Sequence, residues 1–304
     1  MKKKTTVLFI AFIIAGIVFQ LTTGNFPVKF FAFPLGAILG LLWIVLIVIL
    51  YREKRDSLIC RIMLSPQATV WSISLFLAGC FVIGLFPQMN SLQAAKQEGI
   101  AGALGCYDFM SSWPFVITLI LLLTNLGFVT VRRLLGGRSE RKWRFILNHA
   151  GVWMMLFAGF LGSADGREVR MAVDKENWYN LAYDADARPV YLKESYRLSD
   201  FEVERYPDGT PSGYRAKIFV AKEDTLCLDV SVNNPQKVSF GKDVYISGYD
   251  TQSAEPRYCV LQIVIQPYKY MMLAGIIMTL GGAVALFAGG PGCSGRKYER
   301  RVKA

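Results

Sequence analysis

The chain of 304 residues holds a single histidine, His149. That scarcity excludes every metal site built from paired histidines of one polypeptide, the HExxH hydrolases among them. Six cysteines are present but none stands in a CxxC pair, which disfavours thiol–disulfide exchange. Charge is sparse too: 19% of residues are ionic and 53% hydrophobic. With a mean hydropathy of +0.33, this is too apolar for one soluble domain, whose apolar share is usually about 45–50%.

What the chain has instead is six windows free of Asp, Glu, Lys and Arg. They run Thr5 to Val28, Phe30 to Tyr51, Ile62 to Ala95 (its apolar part Ala68 to Phe86), Phe109 to Val131, Phe145 to Ala164 and Tyr270 to Gly295. Each is long enough for the roughly 20 helical residues that cross a bilayer. The predicted fold is therefore an integral membrane bundle of six transmembrane helices with one extracytoplasmic β-rich domain between helices five and six. Its parts are residues 1–62 (two helices and a loop), 63–162 (three helices), 163–269 (the polar domain) and 270–304 (a last helix and a basic tail).

The net charge of +11 requires either a nucleic-acid surface or a membrane protein of asymmetric charge. With the N-terminus inside, the inner segments hold 18 basic and 4 acidic residues, while the short outer loops carry only Lys29, Lys96, Glu98 and Asp108 and sum to zero. The polar domain has 14 basic and 17 acidic residues. The excess is the signature of cytoplasmic loops that retain lysine and arginine, and no basic surface is left over for nucleic acid. The opening Met1-Lys-Lys-Lys resembles a signal peptide, but Phe19-Gln-Leu-Thr-Thr-Gly-Asn-Phe-Pro offers no small-x-small cleavage site, so an uncleaved helix is expected.

The polar domain reads as strands. Arg215 to Ala221, Leu226 to Val232 and Tyr258 to Ile265 are rich in β-branched residues, and turn clusters such as Pro207-Asp-Gly-Thr-Pro-Ser-Gly and Asn233-Asn-Pro part them. A β-sandwich or open barrel is expected. The domain has no GxSxG and no phosphate-cradling glycine loop, and its carboxylates, scattered among basic residues, read as a solvated surface. Cys227 and Cys259 could pair there in an oxidising compartment or equally remain free.

His149 stands apart. It falls five positions beyond Arg144, on the order of 8 Å of helical rise into the apolar layer, where an ionisable ring needs a partner or a role. Two readings are open. One is a neutral imidazole bonded to a backbone carbonyl or to Asn148. The other is a ligand to haem iron, with Trp153 at i+4 able to flank the macrocycle or merely fill space. With one histidine per chain, a bis-histidine iron site needs its second ligand from another polypeptide. Trp113, at the outer start of a span, is either a haem neighbour or an ordinary interfacial anchor.

Three stretches carry a family resemblance. Phe145-Ile-Leu-Asn-His-Ala-Gly-Val-Trp-Met-Met-Leu-Phe-Ala-Gly-Phe-Leu-Gly-Ser, followed by Gly166-Arg-Glu-Val-Arg-Met-Ala-Val, resembles the histidine-bearing span of the ResB (CcsB) family of cytochrome c biogenesis proteins. Cys106-Tyr-Asp-Phe-Met-Ser-Ser-Trp-Pro-Phe, leading to Arg132-Arg133, is similar to that family's aromatic pre-helix segment. The stretch from Val232 to Asp250, then Gln266-Pro-Tyr, resembles its closing motifs, with Gln266 where the family usually has Asp. The likeness covers about Ser65 to Gly290, and the first two spans look like an addition to a four-helix plan.

The resemblance implies a role beside a CcsA (ResC) partner that carries haem outward and attaches it to apocytochrome c at CxxCH. The partner's tryptophan-rich WWD segment is absent here, so the chain would be the ResB half, non-catalytic by itself. By position His149 would be an axial ligand of a transiently carried haem b. A bacterial cytoplasmic membrane location follows, with both termini cytoplasmic. The competing readings are a membrane-anchored scaffold with no haem role, and a b-type electron-transfer subunit, for which one histidine is too few.

Overall fold

A computed structural model describes residues 2–136, 142–221, 224–253 and 256–288. Arg138, Glu140 and Arg141 of one inner loop, and the tail with Cys293, Arg296, Lys297, Glu299, Arg300, Arg301 and Lys303, lie outside them. Six helices are long and apolar enough to cross a membrane: α1 (Lys2–Thr23), α2 (Leu35–Glu53), α4 (Pro66–Leu85), α7 (Trp113–Leu135), α8 (Lys142–Asp165) and α9 (Lys269–Ala288). Short helices α3 (Leu58–Met63), α5 (Ser91–Ala94) and α6 (Gly99–Ala103) lie between them.

Caps sharpen ends that the charge-free windows left blurred. The Ser65 hydroxyl accepts from the Ala68 amide at 3.2 Å just ahead of Pro66, and Ser112 accepts from Phe115 ahead of Pro114. Each serves amides that have no carbonyl partner at a helix start, and proline there has no amide to leave unpaired. The long third window thus resolves into the end of α3, then α4, then α5.

The helices form one compact unit, with the domain from Asp165 to Tyr270 as the other. Within the helical unit α7 is central, burying Phe115, Val116, Leu119, Leu123 and Phe128 among others. The two N-terminal helices pack around it. Phe9 of α1 is fully buried and lies 6.5 Å from Trp71 of α4, whose indole donates to Thr6. Trp43 of α2 meets Trp153 of α8 edge-on at 6.0 Å. The α8–α9 contact is made backbone to backbone: a methyl group at Gly151 would lie 2.7 Å from the Gly275 carbonyl oxygen, and one at Gly282 would lie 2.8 Å from the Asn148 amide. Only glycine permits this approach.

The domain is a single antiparallel sheet of eight strands: β1 (Arg167–Asp174), β2 (Tyr179–Tyr183), β3 (Pro189–Arg205), β4 (Pro211–Ala221), β5 (Thr225–Ser231), β6 (Gln236–Ser239), β7 (Lys242–Tyr249) and β8 (Tyr258–Ile265). The order across it is β5-β4-β3-β2-β1-β8-β7-β6. The outermost strands, β5 and β6, are joined by only four residues, 232–235. Laid flat, eight strands would put them roughly 34 Å apart, whereas such a linker spans at most roughly 18 Å. The sheet is therefore curled. Of the two expected forms, the sandwich is not made, because all eight strands share one sheet, and the domain is an open barrel.

Alternation sets its interior. Val169, Met171 and Val173 of β1 and Cys259, Leu261 and Ile263 of β8 face a common core. In β3 the inward set Leu192, Glu194, Tyr196, Leu198 is shifted by a bulge before Asp200, after which Phe201 faces in. The expected solvated surface holds for most carboxylates, but Glu194 and Asp250 are exceptions at 4% and 7% exposed. Glu194 bonds Lys242 of β7 at 2.6 Å inside the barrel. The Tyr196 hydroxyl is buried there with no hydrogen-bond partner among the described residues, and burial, helped by the Glu194 charge, raises its pKa well above the usual phenol range.

Candidate functional site

His149 lies in the first third of α8, half-buried. Its Nδ1 is 2.9 Å from the carbonyl oxygen of Phe145, one turn earlier. A backbone carbonyl can only accept, so this contact is made by a proton on Nδ1, and in a neutral ring the lone pair is then on Nε2. No hydrogen bond to Nε2 occurs among the described residues. The imidazole also stacks on the Phe145 ring at 3.7 Å and 18°, and the Arg133 guanidinium of α7 sits 5.7 Å from that same phenyl ring. Arg133, Phe145 and His149 thus form a layered group at one end of the α7–α8 pair.

The backbone-carbonyl bond is the one the neutral-imidazole reading anticipates; Asn148 is not the partner. It is equally the second-shell bond that a metal-binding histidine makes through its other nitrogen. Trp153, one turn further, is 5% exposed. Its indole donates to the Leu123 carbonyl at 3.0 Å and stacks on Phe157 at 4.9 Å. This bond and the Trp43 contact fix the rotation of α8 against α7 and α2, and with it the direction in which His149 leaves the helix.

Beside the layered group is a cavity of about 440 Å³ lined by Val129, Arg132, Arg133, Gly136 and Phe145. Nothing in the linear sequence marks it, because α7 and α8 supply its two sides. At the opposite end of α7, Trp113 packs on Phe19 and Phe26 and donates to the Thr23 hydroxyl. Its backbone amide donates to Gln20, which in turn donates to Asn25, and Asn25 and Ser91 both donate to Asp108. This polar network ties α1 to the segment before α7.

In the domain a cleft of about 1310 Å³ lies at the pole away from the chain junctions at Arg167 and Ile265. Asp174, Glu176 and Asp200 face Lys175, Arg205 and Arg257 there, with Phe201 on one wall. The Tyr179 hydroxyl donates to Asp174 and holds that carboxyl below the usual range, with help from the Asn177 amide. Cys227 is exposed and Cys259 buried, and both are free thiols. Burial pushes the Cys259 thiol up to about 12. Among the described residues no three His, Cys, Asp or Glu side chains gather as a metal site.

Six apolar helices and a curled antiparallel sheet define a multi-pass membrane protein with one inserted polar domain. The model of the ResB-like family matches residues 137–257, a segment that contains His149 and most of the domain, in agreement with the resemblance read from the sequence. No curated protein matches. Among solved structures, the chain is similar to "Cytochrome c Heme Lyase CcmF" with a TM-score of 0.38 and 11% identity over 82% of its length. The match covers 44% of that protein, so this chain spans less than half of it.

Proposed function

We propose that this chain is a ResB-like subunit of the cytochrome c haem-handling machinery, helping a CcsA/ResC-type partner move haem across the membrane and present it to apocytochrome c. The ResB-like match over 137–257 points to cytochrome c biogenesis as the setting. The observation that carries the reading is the His149 ring in an apolar span, its Nδ1 on the Phe145 carbonyl and its Nε2 without a hydrogen bond among the described residues. That donor fits haem iron. Haem is here cargo rather than resident cofactor, and it supplies the chemistry of attachment once delivered. The chain's own part is to hold and orient it. Being the sole histidine, His149 needs a second axial ligand from the partner. Trp153 serves by locking α8 in rotation behind the ring.

The lysine and arginine distribution supports cytoplasmic termini and an extracytoplasmic domain in a bacterial cytoplasmic membrane. An extracytoplasmic domain would make its cleft available to apocytochrome or partner. The test is a reduced-haem absorption spectrum of the purified chain with and without a WWD-bearing partner. An iron–imidazole spectrum that His149→Gly alters and added imidazole restores is the expected result. A scaffold without a haem role gives no stoichiometric haem, and cytochrome maturation indifferent to that substitution.

A further inference from the structure

We propose that Arg132 and Arg133, closing α7, are the subsite for the carboxylates of an amphipathic tetrapyrrole held at His149. The proposal rests on the haem-handling reading and gives it a direction, anionic edge toward the arginines. Phe145 carries the geometry, since its ring is both the stacking partner of His149 at 3.7 Å and the cation–π partner of Arg133 at 5.7 Å. It also walls the 440 Å³ cavity that both arginines line. The guanidinium and the imidazole are therefore neighbours of one and the same ring.

Two features separate this place from an ordinary helix-end anchor. First, neither arginine meets a carboxylate among the described residues, although ion pairs are made elsewhere in the chain, as between Arg61 and Asp56. Second, Val129 and Phe145 give the cavity apolar lining, and Arg132 and Arg133 give it basic lining. That combination suits a flat apolar body with an anionic rim, and guanidinium groups bind carboxylates through paired charge-assisted hydrogen bonds. A phospholipid phosphate shares this oxyanion chemistry, so the experiment separates the two sources.

The full chain in neutral detergent is titrated with metal-free protoporphyrin IX and with its dimethyl ester, read by porphyrin fluorescence; without iron, His149 contributes no ligation. The native chain binds the free acid about tenfold tighter than the diester. The Arg132→Gln/Arg133→Gln variant loses that ratio and keeps its diester affinity, while Arg132→Lys/Arg133→Lys retains most of it. His149→Gly abolishes the iron–imidazole spectrum with haem. A ratio near one in the native chain overturns the proposal, as does a ratio that survives the glutamine variant or is erased by added phosphatidylglycerol. If the metal-free ratio holds but haem never shows imidazole ligation, the His149 reading fails and the subsite stands. If haem ligates through His149 and the arginines are indifferent, the reverse is true.

Discussion

His149 is bound twice by one neighbour: its Nδ1 donates to the Phe145 carbonyl at 2.9 Å, and its ring lies on the Phe145 side chain at 3.7 Å. The first contact fixes the tautomer and the second limits how the ring turns. Phe145→Ala keeps the carbonyl and removes the stack, a loss of about 0.5–1.5 kcal/mol beyond area burial. The expected outcome is a chain that still folds, by circular dichroism, and still shows iron–imidazole ligation, with a broader haem spectrum and weaker occupancy than wild type. Unchanged occupancy would show that the stack does not position the ring.

The α8–α9 seam gives a packing prediction with its own control. A side chain at Gly275 meets the Gly151 carbonyl oxygen and the Met155 amide, whereas one at Gly281 meets nothing within 4 Å. Gly275→Val is expected to cost about 1–3 kcal/mol, as overpacking does, and to lower the thermal midpoint in detergent. Gly281→Ala leaves it unchanged.

Inside the barrel, the side chains of Glu194 and Lys242 are 5% and 13% exposed and bonded to each other. Removing one partner strands a buried charge, so Lys242→Met alone costs about 3–5 kcal/mol. Adding Glu194→Leu recovers most of that loss. Urea unfolding of the intact protein, followed by the strand signal, checks the order: single variant below double variant.

Acid should loosen the domain. Asp174 is held below the usual carboxyl range chiefly by the Tyr179 hydroxyl, and Asp250 by the Ser253 side chain and neighbouring amides. Such groups stabilise the fold fully above their unfolded value of about 3.9, and that contribution is lost as pH falls through the lowered folded value. The unfolding midpoint is expected to be level from neutral pH to about pH 5, with these carboxyls adding to its fall below about pH 4. A steeper acid limb in Asp174→Asn than in the native chain would contradict the assignment.

The cysteines divide by exposure. Cys227 faces out, while Cys259 is buried with its thiol raised to about 12, and only thiolates react. Iodoacetamide at pH 8 should label Cys227 in the native domain and reach Cys259 only after denaturation, as peptide mass analysis would show.

Much of this fold was readable from residues. The six spans follow from charge-free windows, because the bilayer demands length and apolarity and little else. Even so, the first window begins at Thr5 while α1 begins at Lys2, since lysines at a membrane surface extend a helix without entering lipid. Three strands, β4, β5 and β8, announce themselves through β-branched runs. The long β3 does not, because Lys193, Arg197 and Glu202 alternate with its inward residues and a bulge breaks the period at Asp200. The Glu194–Lys242 pair is illegible for a different reason: 48 residues separate partners that only the curl of the sheet brings together. His149 could be singled out as the sole histidine, but its tautomer and the cavity beside Phe145 depend on side-chain directions and on α7, which spacing along α8 does not reveal.

The bond from His149 to its own helix settles where one hydrogen resides before anything is captured. Were haem iron taken up at the opposite nitrogen of a neutral ring, as proposed, it would displace no hydrogen ion, and capture and release would leave the bulk acidity untouched. On the proposed role, a subunit built this way would hand its load onward without waiting for a base.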